Sequence, residues 1–232
     1  MHRDLVDAIR AELARHADPV RAARHQRYMK STIPYRGLTS RQLTAALRPI
    51  LADPGFRVVD RDRWEATIRT LWDEVAYREE WYAAIALARY RTYRPWVDSE
   101  SMPLWQHLVV TGAWWDVVDE VATHLVRDVL DRSPPAEGLR LREWAVDEDL
   151  WLRRTAIICQ VGRQDRLDQD LLADVIEPNL ADRDFFIRKA IGWALRDHAR
   201  VAPDWVRAFV DAHAGELSGL SRREATRHLA DV

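Results

Sequence analysis

The segment 113–130 (AWWDVVDEVATHLVRDVL) brings a tryptophan and a carboxylate together on one flank of a predicted helix. Its apolar spacing assigns Trp114 and Val118 to the core-facing stripe, which leaves Trp115 rotated by about 100° from Trp114. Asp119 follows Trp115 by one turn, so the two side chains share a flank. An indole face beside a carboxylate forms a small anionic and aromatic pocket that attracts a cation. The alternative is that Trp115 packs against the next helical repeat along the chain, while Asp119 pairs with an arginine.

Trp193 is a second tryptophan outside the core pattern of its own helix. Ile187, Ile191 and Leu195 are available for the core of that helix, and Trp193 shares a flank with Asp197. Trp193 is therefore a candidate surface ring. The alternative is that it packs between neighbouring repeats.

The segment 27–37 (RYMKSTIPYRG) interleaves cationic and aromatic side chains, a pattern seen at nucleic-acid surfaces. Tyr28 and Lys30 are its candidate nucleic-acid-binding residues. The pattern fits an alternative equally well, in which the segment is the end of a helix that enters a loop and its side chains pack at that turn of the chain.

Arginine carries nearly all of the positive charge, since only Lys30 and Lys189 of the 35 cationic residues are lysines. A guanidinium favours planar, bidentate contacts with carboxylate or phosphate. The net charge of −2 argues against a protein that coats nucleic acid indiscriminately, but it allows one basic face balanced by acidic surface elsewhere.

The sequence contains no motif for metal, nucleotide or covalent catalysis. Its 8 histidines are scattered without HExxH or Cys–His spacing, and no GxSxG, Walker or GxGxxG signature occurs. The single cysteine, Cys159, lies in an apolar helix and is interpreted as an inert core thiol suited to a reducing cytoplasm. We therefore predict neither a metal nor a cofactor.

Helical periodicity dominates the chain and predicts roughly a dozen helices and no strand. Turn signals containing proline, including those at 18–19 and 133–135, separate the predicted helices. No apolar run approaches the ~20 residues of a membrane span, and the N-terminus does not read as a secretory signal. The predicted helices cover 4–16, 39–51, 61–76, 79–93, 103–110, 113–131, 139–147, 150–162, 168–180, 184–199, 203–214 and 221–230.

Two predicted helices repeat at an offset of 35 residues. When 151–157 (WLRRTAI) is aligned with 186–192 (FIRKAIG), an aromatic residue aligns with an aromatic residue and two cationic residues align with two cationic residues. Such periods, with two helices in each, are typical of HEAT or armadillo solenoids. We predict an all-α, HEAT-like solenoid of about six helical repeats, with 1–232 as a single domain. Its concave face would then carry a cationic lining of Arg153, Arg154, Arg188 and Lys189, which are candidates for contacts with phosphate.

Four segments resemble, in order and separation, the DNA alkylation repair family, the AlkD-like DNA glycosylases built from HEAT-like repeats. The resemblance runs from about residue 5 to about residue 215. Each motif alone is modest, whereas four in register are fairly specific. The segments are YMK (28–30), WWDVVD (114–119), WLRRTAI (151–157) and FFIRKAIGWALR (185–196).

The resemblance implies an enzyme that excises positively charged alkylated purines, notably 3-methyladenine and 7-methylguanine, from duplex DNA by hydrolysing the N-glycosidic bond. It implies that Asp119, Trp115 and Trp193 are catalytic, that Arg154 binds phosphate, and that Tyr28 lines the lesion strand. The family is unusual in not flipping the damaged base into a pocket. The expected partner is double-stranded DNA with alkylated bases, bound on the concave face by a monomer. The expected location is the cytoplasm, in association with the nucleoid when the protein is bound to DNA.

The chemistry agrees with these residue types. A purine alkylated at N3 or N7 leaves as a neutral base without a general acid, while positive charge moves to the sugar. Asp119 would stabilise that oxocarbenium-like sugar and position water, and the two indoles would face it. Two other functions stay open: a non-catalytic DNA-structure binder on the same scaffold, and a protein-interaction scaffold.

Overall fold

A computed structural model describes residues 1–227 and 229, and within them the chain is all-α with no strand. Short turns, several of them 3-10 helical, join the helices. A π-helical segment, Val121–Val126, continues α7 into α8. No helix in the described part of the chain is long and apolar enough to cross a membrane. The helices are α1 Arg3–Arg15, α2 Pro19–Met29, α3 Ser40–Ala52, α4 Arg61–Asp73, α5 Glu79–Ala88, α6 Met102–Gly112, α7 Trp115–Glu120, α8 Arg127–Arg132, α9 Pro134–Trp144, α10 Leu150–Ile158, α11 Gln169–Ile176, α12 Phe185–His198, α13 Pro203–Ala212 and α14 Gly219–Ala225.

The predicted helical class is confirmed, and two of the differences from the predicted helices lie at prolines. Helix α2 was not predicted, because among its eleven described residues only Met29 is buried and no apolar stripe marks it. Asp18 caps it through the Arg21 N–H and Pro19 opens it. Pro134, in a predicted turn, likewise opens α9. Both prolines mark helix starts, since their fixed φ and missing N–H suit the first turn.

The helix predicted at 221–230 is found as α14, which ends at Ala225. Residues 228 and 230 of that prediction lie outside the described part of the chain. At α7 and α8, the single predicted helix at 113–131 starts at Trp115, with Trp114 as its N-cap residue.

The chain forms two compact units, Met1–Val97 and a second that begins at Asp98. In the first unit, α1 packs against α3 and α4 packs against α5, around the buried side chains of Ile9, Trp64 and Leu71. In the second unit, α10 packs against α12, and α12 packs closely against α14. The single domain over 1–232 stays a prediction.

The 35-residue repeat is visible in the second unit at the level of individual capping bonds. The Asp149 N–H donates to Asp147 Oδ1 at 2.8 Å, and the Asp184 N–H donates to Asp182 Oδ1 at 2.7 Å. Asp149 then caps α10 and Asp184 caps α12 through their own carboxylates. The two helices therefore start in the same way because each repeats an Asp-x-Asp turn.

The eleven tryptophans divide by burial. One group is buried and fills the cores of the two units, as expected for large apolar rings. The other group, which includes Trp115 and Trp193, is half-buried. The buried tryptophans are Trp64, Trp72, Trp81, Trp105, Trp144 and Trp151.

Gly192 allows the close approach of α12 and α14. A Cβ atom at this position would lie 2.6 Å from Glu224 Cβ and 3.2 Å from the Ser221 carbonyl oxygen. Contacts this short with a neighbouring helix require the helices to separate, because Glu224 Cβ is fixed to the backbone.

We predict that Gly192→Ala lowers the free energy of unfolding by about 1 to 3 kcal/mol, the usual range for an overpacked core. Gly215→Ala is the matched control, since nothing lies within 4 Å of the added methyl group there. Urea unfolding followed by circular dichroism measures both variants. A Gly192→Ala protein as stable as wild type would show that the two helices are not in close contact at this point.

Candidate active site

A bidentate ion pair joins α7 to α10. Arg154 Nε donates to Asp119 Oδ1 at 2.7 Å, and Arg154 Nη2 donates to Asp119 Oδ2 at 2.8 Å. Arg154 Nη1 donates to the Phe186 carbonyl oxygen at 2.6 Å, which ties the same guanidinium to the first turn of α12. One arginine thus fixes the carboxylate and connects three helices.

Both side chains of this pair are largely removed from solvent, with exposed fractions of 6% for Arg154 and 17% for Asp119. Burial raises the pKa of Asp119 above its ordinary value, against the lowering by the Arg154 guanidinium. Outside bulk water a charge acts more strongly on its surroundings. Asp119 is the more exposed partner, so the pair presents its negative end towards solvent.

Asp119 and Arg154 occupy the same position in successive 35-residue repeats, and the next two repeats carry Lys189 and Glu224 there. Lys189 Nζ donates to Glu224 Oε1 at 3.0 Å. Arg196 also bonds to Glu224, and the hydrogen bond from Lys189 is the main cause of the lowered pKa of Glu224. The same position in four consecutive repeats therefore forms two ion pairs.

Trp115 and Trp193 are both half-buried, as their departure from the core pattern predicted. Trp115 is the first residue of α7, one turn before Asp119. Trp193 lies on α12 two turns beyond Phe186, the residue whose carbonyl accepts from Arg154. Within the described residues, neither indole makes a hydrogen bond or a ring contact.

Trp114, in contrast, packs into an aromatic cluster. Its ring centroid lies 5.5 Å from that of Phe186 and 6.2 Å from that of Trp151. The predicted packing role of Trp114 is thus seen, although the side chain is only half-buried. The pairing with an arginine that the sequence left open for Asp119 is also present.

A π-helical turn begins two residues after Asp119, and sequence reasoning missed it. The Arg127 N–H donates to the Ala122 carbonyl oxygen in this segment, and Thr123 Oγ1 donates to the Asp119 carbonyl oxygen at 2.7 Å. Single π turns inside α-helices are frequent at functional sites. The apolar spacing of 113–131 predicts one continuous helix, so nothing in that spacing indicates the π turn.

The cations predicted to line a concave face have partners within the protein. Arg154 pairs with Asp119 and Lys189 with Glu224, while Arg153 Nη2 donates to Asp182 Oδ2 at 3.2 Å. Arg188 Nε donates to the Asp184 carbonyl oxygen at 3.3 Å. Phosphate contacts by these four residues stay a prediction, and each would be shared with a partner already present.

Tyr28 and Lys30 lie at the C-terminal end of α2, in the first unit. Tyr28 is 77% exposed, and Lys30 is an exposed C-cap residue in the left-handed conformation, with φ of 51°. Helix α2 ends at Met29, so the interpretation of this segment as a helix end is confirmed. Contact with DNA stays a prediction.

Other reactive groups do not form a site in the described part of the chain. No three His, Cys, Asp or Glu side chains meet there as metal ligands would. Cys159 is fully buried, and burial raises the pKa of its thiol to about 12. This thiol stays protonated at neutral pH and does not act as a nucleophile.

Comparisons with known proteins agree with the resemblance seen in the sequence. A family model described as "DNA alkylation repair enzyme" matches residues 9–229. A solved structure described as "Predicted DNA alkylation repair enzyme from Enterococcus faecalis" is 26% identical, with a TM-score of 0.82 over 93% of this chain and 98% of the other. No curated protein matches the sequence.

We predict that Arg154→Met destabilises the protein by about 3 to 5 kcal/mol at neutral pH, because it leaves a buried carboxylate without its partner. Without Arg154 the folded-state pKa of Asp119 lies further above its unfolded value. The ionised form then disfavours folding above that pKa, so the deficit relative to wild type shrinks as the pH falls through it.

Urea unfolding at several pH values measures this effect. Arg142→Met is the matched control, since Arg142 pairs with Asp174 at the surface, where both side chains are more than a third exposed. Such a pair contributes about 0 to 1 kcal/mol. Equal losses in the two variants would mean that the Asp119–Arg154 pair behaves as a surface pair.

Proposed function

The chain belongs to the DNA alkylation repair enzyme family, and on that premise we propose that it is a DNA glycosylase that excises positively charged alkylated purines, such as 3-methyladenine and 7-methylguanine, from duplex DNA. Its catalytic residues in this proposal are Asp119, Trp115 and Trp193. The observation that carries the proposal is the buried, bidentate Asp119–Arg154 pair, with the half-buried Trp115 one turn away.

The reaction begins with cleavage of the bond between C1′ and the purine nitrogen. The electron pair of that bond moves to the alkylated base, whose positive charge is neutralised, so the base leaves without being protonated. The sugar becomes oxocarbenium-like and carries the positive charge. Water then attacks C1′ and loses a proton, which produces a free base and an abasic sugar.

Asp119 acts on the charge that develops on the sugar. A carboxylate has about four lone-pair positions, and Arg154 occupies one on each oxygen. The remaining positions can hold the attacking water or accept its proton, while the negative charge stabilises the cationic sugar. Because Arg154 fixes the carboxylate in advance, little reorganisation is needed during the reaction.

Arg154 can hold Asp119 and still contact DNA. A guanidinium has five N–H groups, and three of them donate to Asp119 and to the Phe186 carbonyl oxygen. The other two N–H groups are left for a backbone phosphate. In this proposal one residue couples binding of the phosphate to orientation of the carboxylate.

Trp115 and Trp193 would form the walls around the sugar. The face of an indole attracts partly positive hydrogens, and its bulk excludes water other than the attacking molecule. Recognition of a cationic lesion at the sugar needs no pocket for an extruded base, so we include excision without base flipping in the proposal.

We predict that the wild-type protein releases 7-methylguanine from methylated duplex DNA without added metal, and that Asp119→Asn lowers the single-turnover rate by about 10²-fold or more. DNA affinity should not fall, since Asp119 carries no phosphate contact in the proposal and the loss of its negative charge favours DNA binding. Released bases are separated and quantified by chromatography, and affinity is measured by fluorescence anisotropy.

Asp116→Asn is the matched control, because it neutralises a carboxylate on the same helix, α7, one turn before Asp119. Melting curves of both variants separate loss of activity from loss of folding. A wild type that binds DNA without releasing base would instead identify a DNA-structure binder. Weak binding with little salt dependence would identify a protein-interaction scaffold.

The excision rate should also depend on pH in a defined direction. The ionised form of Asp119 is the active one, and burial raises its pKa above the ordinary value of 3.8. The rate should therefore fall as the pH is lowered through this raised pKa. Single-turnover rates, corrected for spontaneous depurination, test this. A rate that stays constant as the pH is lowered to the ordinary pKa of 3.8 would contradict a role for ionised Asp119.

A further inference from the structure

Helix α2 presents a basic surface and has little apolar packing to hold it in place. Among its eleven described residues only Met29 is buried, and the helix contains no acidic side chain. Arg24, Arg27 and Tyr28 are exposed, as is Lys30 directly after the helix. We call these four residues the α2 basic face. Its position must depend on polar contacts, because apolar contacts are few.

These polar contacts come from the loop that follows α2. The Asp18 N–H, at the start of α2, donates to the Arg36 carbonyl oxygen at 2.7 Å. Arg21 Nη1 donates to the Gly37 carbonyl oxygen at 2.9 Å. Gly37 has a φ of +90°, and a Cβ there would lie 2.3 Å from the Asp18 carbonyl oxygen. The loop and the start of α2 are therefore in direct backbone contact.

Glu79 fixes this loop from the opposite side. Its carboxylate is 1% exposed and accepts the N–H groups of three consecutive residues, Arg36 at 2.9 Å, Gly37 at 2.7 Å and Leu38 at 3.2 Å. Glu79 is the first residue of α5, whose side chains belong to the core of the first unit. Hydrogen bonds to an ionised acceptor are stronger than neutral ones.

We infer that Glu79 is a positioning residue for DNA binding, which holds the loop at Arg36–Leu38 and through it the α2 basic face against the phosphates of duplex DNA. This inference rests on the proposed function only in taking DNA as the ligand. A chain of contacts supports it: the core helix α5 holds the loop, the loop holds the start of α2, and α2 carries the exposed cations.

Glu79→Gln tests the inference, with Glu80→Gln as the matched control. Glu80 is the next residue, is 0% exposed and accepts from Arg10 Nε at 2.9 Å and from the Tyr77 N–H at 3.2 Å. Both substitutions remove one buried negative charge from α5, but only Glu79 holds the loop. The loss of a negative charge alone would strengthen DNA binding in both variants.

The full-length protein is titrated into labelled duplex DNA at several salt concentrations, and excision is measured at saturating enzyme. We expect Glu79→Gln to weaken affinity about 10-fold, to reduce the salt dependence by about one or two phosphate contacts, and to keep the maximal rate. Glu80→Gln should not weaken affinity, even if it lowers the melting temperature. The double variant Arg24→Ala/Arg27→Ala should lose salt dependence too, and adding Glu79→Gln should then cost less than in wild type.

The inference is overturned if Glu79→Gln keeps wild-type affinity, if Glu80→Gln weakens binding equally, or if the effects of Glu79→Gln and the double variant are additive. Should Glu79→Gln fail to fold, unchanged affinity and salt dependence of the double variant overturn it by themselves. A wild type that binds DNA without excision, with affinity still lowered by Glu79→Gln, contradicts the proposed glycosylase and supports this inference.

Discussion

The ion pair between Asp119 and Arg154 is the interaction on which the candidate site depends. Moving either charge out of water alone is costly, so the two side chains are stable there only together. The geometry is bidentate, and the third arm of the guanidinium reaches the Phe186 carbonyl oxygen. Because one side chain binds both the Asp119 carboxylate and a carbonyl oxygen in the first turn of α12, the helices α7, α10 and α12 must keep their relative positions for the carboxylate to keep its orientation.

The repeat explains why this pair forms and why the protein has so little free positive charge there. Residues 35 apart in the sequence lie beside each other in neighbouring repeats, as in the pairs Asp119–Arg154 and Lys189–Glu224. Acids and bases at one repeat position therefore neutralise each other across the helices. In the first unit, the exposed arginines of α2 and α3 lie on helices that contain no acidic side chain. This division agrees with a net charge of only −2.

The tryptophans fall into two groups according to their burial. Six indoles are buried and supply bulk between helices, whereas Trp115 and Trp193 are half-buried on flanks beside the core stripe. Trp114 stands between the two groups, since it is the N-cap residue of α7, is only half-buried, and packs its ring against Phe186. Adjacent residues can differ in this way because each step along a helix turns the side chain by about 100°.

The sequence by itself determined the helical class, the 35-residue period and the shared flank of Trp115 and Asp119, since these follow from spacing along single helices. Only the tertiary structure decided that Arg154 is the partner of Asp119, that a π turn follows it, and that Glu79 holds the loop after α2. The ion pair and the loop contact depend on which helices pack together, and the π turn lies in a segment whose apolar spacing predicts one continuous helix. Helix α2 itself was missed for a related reason: a helix held by polar contacts leaves no apolar stripe to read.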